Sequence, residues 1–195
     1  MSSWILPAFL GIGLAAACGF RAFLPLLLLS AAVHFGLAGL EVNESFAWVG
    51  STGALIALSI AAVAELLGDL VPYVDNVLSA LGNVTGPIAG AVAAGSVFAS
   101  QDPSTAAIAG IIVGAPTALA FSATQTSVRA ASTATTGGLA NPVISVVESF
   151  FTFALAVVAI VLPILIPIVL ALLLWIAYRV VQKFRARRAR RATAA

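Results

Sequence analysis

Five ionisable residues stand inside stretches of the chain that are otherwise apolar. They are Arg21, Glu65, Asp69, Arg129 and Glu148, with Asp75 just beyond the end of one such stretch. A charged side chain at the centre of a membrane helix costs about 2.5–3.5 kcal/mol, so each needs a partner, a water-lined cavity or a function. Glu65 and Asp69 are four residues apart and project from one helix face. They fall near the C-terminal end of their segment, where the helix dipole disfavours anions. Two carboxylates in that position require a shared proton, a captured cation or an arginine between them. The first would suit proton coupling, the second ion passage and the third a structural clasp. Arg21 and Arg129 are the only basic residues before Arg179. They can pair with Glu65, Asp69 or Glu148, and the sequence leaves open whether such pairs are structural or form a working polar site.

A second polar feature is uncharged. Residues 124–141 are rich in Ser, Thr and Gly and end in Gly137-Gly138 and Asn141-Pro142. Irregular polar backbone near a membrane is tolerated where it lines water or is buried in protein, so this run reads as a solute-lining segment or as a plain loop. Asn141 reads as a helix cap with proline at the first helical position, and it joins Arg21, Glu65, Asp69, Asp75, Arg129 and Glu148 as a binding or ion-pathway candidate. Gly82, Gly86, Gly90 and Ala94 recur at four-residue spacing, a small-residue row that lets a neighbouring backbone approach closely. Pro87 fits the first turn of that helix. No Gly-x-Ser-x-Gly, His-Glu-x-x-His or P-loop pattern is present, so the chain does not read as an enzyme. One cysteine, Cys18, and one histidine, His34, leave no disulfide framework and no zinc cluster to build. The expectation is no cofactor and no metal.

The elements that must position these charges are membrane helices. Of 195 residues, 62% are apolar and 8% charged, against about 25% charged in soluble domains. Mean hydropathy is +1.13. Segments long enough for a span of about 20 residues run over 49–71, 84–100, 105–123, 142–162 and 164–181. The apolar stretch 4–40 is interrupted by Arg21 and Pro25. It counts as one discontinuous or re-entrant segment, for six crossings, or as two, for seven. Between the spans lie a polar loop at 41–48, a short amphipathic stretch at 73–82, a tight turn at 101–104 and the break Pro163-Ile-Leu-Ile-Pro167. The N-terminal segment lacks a basic n-region and reads as the first span, not a signal peptide.

Seven of the nine basic residues are Arg179, Lys183, Arg185, Arg187, Arg188, Arg190 and Arg191. A basic run directly after a span places the C-terminus in the cytoplasm. With a single aromatic, Phe184, among its charges, it points to anionic lipid, not nucleic acid. Trp48 and Trp175 fit interfacial aromatic belts. Gly19-Phe-Arg21-Ala-Phe echoes Ser127-Val-Arg129-Ala-Ala, and each is followed by a segment bearing a glutamate that ends at proline. Three crossings per unit would make two inverted repeats, over about 1–100 and 104–182, with the basic tail at 183–195.

Gly-Phe-Arg21-Ala-Phe-Leu-Pro25, Glu65-Leu-Leu-Gly-Asp69-Leu-Val-Pro72-Tyr-Val-Asp75-Asn and Gly86-Pro87-x-x-Gly90 resemble the bacterial membrane family known as domain of unknown function 4126. Arg129-Ala-Ala-Ser-Thr, Gly137-Gly138, Asn141-Pro142 and Glu148 fit the same pattern. The resemblance covers most of the chain and implies a bacterial membrane protein, without implying an activity; the expected location is the bacterial inner membrane. Where the family pattern has a lysine after the aspartate and an aspartate after Glu148, this chain has Leu70 and Ser149, which weakens any site relying on those charges. Glu65-x-x-Gly-Asp69 is also similar, one residue out of register, to the Glu-x-Gly-Asp motif of small cation/proton exchangers. The expectation is an all-α polytopic membrane protein acting as a small transporter or channel. The alternatives are a structural or partner-binding membrane protein and a handler of anionic lipid. The expected partners are membrane lipid, a small ion or solute, and further copies of the chain.

Overall fold

The computed structural model describes the backbone of residues 2–69 and 72–192, and the side chains of residues 4–69, 78, 81–176, 178, 179 and 182. Among the described residues every regular element is helical. The helices are α1 (Ser2–Phe20), α2 (Phe23–His34), α3 (Thr52–Gly68), α4 (Pro72–Ser96), α5 (Pro103–Ala109), α6 (Ala115–Thr136), α7 (Asn141–Val161) and α8 (Ile166–Ala192). A π-helical turn, Gly110–Gly114, joins α5 to α6, so Pro103–Thr136 runs on as one helix of 34 residues.

Local chemistry sets the ends. Ser51 Oγ accepts from the Ala54 N–H and starts α3, and Asp102 Oδ1 does the same for α5 through the Thr105 N–H. Gly137, at φ 64°, adopts the left-handed conformation that stops α6, and its N–H returns to the Thr133 carbonyl. Asn43, 1% exposed, donates its side-chain amide to the carbonyls of Phe98 and Gln101 and so ties the 41–50 segment to the end of α4.

The distribution of side-chain size is that of a protein embedded in lipid. Ala15, Ala16, Ala17, Ala93, Ala94, Ala118, Ala156 and Ala159 have essentially no accessible surface. Ile60, Ile112, Val143, Phe150, Ile168 and Leu174 are between 66% and 75% exposed. Water would penalise that arrangement, whereas hydrocarbon does not, and small residues inside let helices approach closely. Among the described residues, Pro103–Thr136 and Asn141–Val161 are long and apolar enough to cross a membrane. Glu44–Gly50 with Thr52–Gly68 qualifies as a third span only if the pair, bent by 62°, is taken together. Trp4–Phe20, Phe23–His34 and Pro163–Ile176 are apolar but shorter.

Several boundaries differ from the sequence reading. Residues 124–136 are not a loop but the second half of α6. Their hydroxyls fold back on the helix: Thr124, Thr126, Ser127, Thr135 and Thr136 each donate to the carbonyl four residues earlier, which gives polar side chains a partner without breaking the helix. The stretch 73–82 and the following span form one helix, α4, with Pro87 in its interior and not in its first turn. Part of the 41–48 loop is wound into a 3-10 helix, Glu44–Gly50.

α1 packs against α4, α6 and α7, and α2 against α3 and α7. Glycines set the closest approaches. A Cβ on Gly90 would meet the Ala118 Cβ at 2.6 Å, one on Gly86 would meet the Cys18 carbonyl oxygen at 3.2 Å, and Ala94 is fully buried. From the other side, Gly110 and Gly114 press on the backbone of Ala91 and Gly90. Gly82 does not belong to this contact row, since a Cβ there has nothing within 4 Å. Gly114→Ala is therefore expected to cost about 1–3 kcal/mol through overpacking, and Gly82→Ala to be close to neutral. Reversible unfolding in detergent measures both, and equal losses at the two positions would refute the packing assignment.

Candidate functional site

Four charged side chains from four segments meet in the interior. Arg21 occupies the break between α1 and α2, Asp69 caps the end of α3, Arg129 lies on α6 and Glu148 on α7. Asp69 Oδ2 sits 2.7 Å from Arg21 Nη2 and 3.3 Å from Arg129 Nη2, so one oxygen bridges both arginines. Arg129 also donates through Nη2 and Nε to Glu148 Oε2, at 2.6 and 3.2 Å. All four residues are at least 91% buried. At that depth an unpaired charge would cost several kcal/mol, and mutual pairing removes most of the penalty.

Two uncharged residues complete the network, and neither was singled out from the sequence. Ser145, one turn before Glu148 on α7, accepts from Arg21 Nη2 with its carbonyl and from Arg129 Nη2 with its hydroxyl, both at 2.9 Å. Gln125, one turn before Arg129 on α6, donates to Glu148 Oε2 at 2.9 Å. The signal lay in periodicity. Asn141, Ser145, Glu148 and Thr152 form one buried polar stripe on the apolar helix α7, and Ser122, Arg129 and Ser132 are the buried polar residues of α6.

Glu65 has a different task. Its Oε1 accepts from the Ala22 N–H at 3.0 Å and its Oε2 from the Phe23 N–H at 3.4 Å. A side chain of α3 thus satisfies orphan donors at the start of α2, which has no cap of its own, and its charge complements the helix dipole there. Glu65 and Asp69 share a face as expected, but one serves a helix terminus and the other serves two arginines. Asn141 does not act as a side-chain cap for α7. The helix starts without one, and Asn141 Nδ2 donates to Thr133 Oγ1 at 3.2 Å, tying α7 to the end of α6. The side chain of Asp75 lies outside the described residues.

A small polar cavity adjoins the network. It holds about 20 Å³, and its walls include Cys18, Arg21, Glu65, Asp69, Gly82, Gln125 and Arg129. That is room for about one water-sized species. The model of the family described as domain of unknown function 4126 matches residues 8–183. The chain belongs to this family. No curated protein and no solved structure matches it. The match to domain of unknown function 4126 spans the four-residue network, Glu65 and the cavity.

If Arg129 and Glu148 act as a buried pair, Arg129→Leu or Glu148→Leu alone is expected to lose about 3–5 kcal/mol, because each strands its partner. The double replacement should lose less than either single one. Unfolding of the four proteins in detergent forms a double-mutant cycle, and strictly additive losses would show that the two side chains do not act as a pair.

Proposed function

We propose that the protein is a small transporter or channel of the bacterial inner membrane, not an enzyme. In this reading the chain crosses six times, with residues 4–34 forming one segment broken at Arg21 and the basic tail in the cytoplasm. The units at about 1–100 and 104–182 are inverted repeats: α1 with α2, α3 and α4 form one, and α5 with α6, α7 and α8 the other. The observation that carries the reading is the Asp69 carboxylate bridging Arg21 and Arg129, one arginine from each unit. Broken segments and charged groups meeting at a repeat interface are how many small transporters build a midplane site. Discontinuity at Arg21 is what that architecture requires, and the helix end it creates is held by Glu65.

The competing reading makes the charges clasps, and the Glu65 cap on α2 favours it locally. Glu65→Gln separates the two, since the amide oxygen can still accept one N–H. Reconstituted in liposomes and assayed for proton, cation and anion flux, the parent protein should exceed empty vesicles for at least one species. Glu65→Gln should keep its unfolding midpoint within a few degrees and lose at least tenfold in flux. A variant that loses stability instead, with flux per folded molecule unchanged, removes Glu65 from the pathway. A correctly folded parent protein with no flux across the panel removes the proposal.

A second reading, handling of an anionic lipid at Arg21 and Arg129, draws on an apolar groove of about 410 Å³ between α6 and α7. Phe20, Val128, Val143, Val147 and Phe151 line it, and it meets the polar centre at Gln125 and Glu148. Mass spectrometry of co-purified lipid should then show anionic lipid enriched over the host membrane, and host proportions would discard it.

A further inference from the structure

Not every polar group at the centre is matched. Each of the three carboxylates is engaged: Asp69 by two arginines, Glu148 by Arg129 and Gln125, and Glu65 by two backbone N–H groups. The arginines are not matched to the same degree. Arg21 is 2% exposed, and its Nε and Nη1 have no hydrogen-bond partner among the described residues. Buried donors of a charged group are expensive to leave unmet. Arg21 lines the 20 Å³ cavity, as does Ala22 at the N-terminal end of α2. The unmet capacity beside this cavity is thus a pair of cationic N–H donors, which calls for an acceptor and opposes a cation.

We propose that this cavity binds a small monatomic anion, of chloride size or smaller, on the unmet donors of Arg21. As the species carried across the membrane, the anion rests on the transport reading, whereas its binding does not. The volume sets the size class, since a water-sized species fits and a polyatomic oxyanion or an organic acid does not. Glu65 and Asp69 share the cavity wall, but their charges are spent on the α2 terminus and on the two guanidinium groups. Three carboxylates face two arginines and the α2 dipole, equivalent to about half a positive charge. That balance is about −0.5 before the anion enters, so binding rests on the two unmet donors of Arg21, is weak, and lets the anion exchange readily.

The test uses the purified full-length protein in detergent, with sodium fluoride, chloride, sulfate and gluconate compared at constant ionic strength. Fluoride or chloride should raise the unfolding midpoint saturably and give a heat of binding, and sulfate and gluconate should do neither. Arg21→Lys should weaken binding at least tenfold. Because that variant sits in the ion-pair network and can fail to fold, Gly82→Val provides a second arm. Gly82 is part of the cavity wall and a side chain there would begin in open space, so valine adds bulk beside the site without displacing a neighbour. It should abolish the halide effect and keep the midpoint measured in gluconate. Equal shifts with all four salts, or a halide effect that survives Gly82→Val, would mean that the cavity holds water only. Halide binding without flux of any solute keeps the site and removes transport, whereas flux without halide binding keeps transport and removes the site.

Discussion

A single carboxylate oxygen holds the interior together. Asp69 Oδ2 is the acceptor shared by Arg21 and Arg129, and through them it joins the α1–α2 break, the end of α3, α6 and, by way of Glu148, α7. In a medium with little water to screen or solvate a charge, such a junction must be nearly complete or it is ruinous. The rest of the fold can be read as its support. Alanine and glycine bring the backbones near enough for the charged side chains to meet, and large aliphatic residues are displaced outward to the lipid.

The same economy explains the π turn. Gly110 and Gly114 lie where the helix Pro103–Thr136 crosses α4, and each abuts backbone there, leaving no room for a Cβ. A π turn alters the phase of the residues beyond it relative to those before it. Gln125 and Arg129, which lie beyond the turn, face the polar centre, while the glycines face α4. Packing and charge placement on one long helix are thus both satisfied by a local change of winding.

Much of this was legible in the sequence because charge is costly in lipid. Arg21, Asp69, Arg129 and Glu148 stood out against apolar neighbours, and the structure puts them in contact. The uncharged partners were harder to see. Ser145 is one of many serines, and only its position one turn from Glu148 distinguishes it. Gln125 sat in a run that looked like a loop, because Ser and Thr compete for backbone hydrogen bonds in either conformation. Here they back-bond along α6, which hydropathy cannot register. Gly82 matched the spacing of Gly86 and Gly90, yet it faces a void, since periodicity fixes a face but not how far along it the neighbouring helix reaches. Asn141 looked like a cap because of its type and the proline after it, but its amide turns instead to Thr133.

The Glu65 cap has a mechanical corollary. Because the opening N–H groups of α2 find their acceptors on another helix, α3 cannot slide along α2 or turn on its axis without exposing them. Those two helices are therefore yoked and travel as a unit. α6 and α7, by contrast, flank an open trough and are bridged by polar side chains at Gln125 and Glu148. The carboxylate of Asp69, at the end of α3, is where that yoked pair is tied to α6.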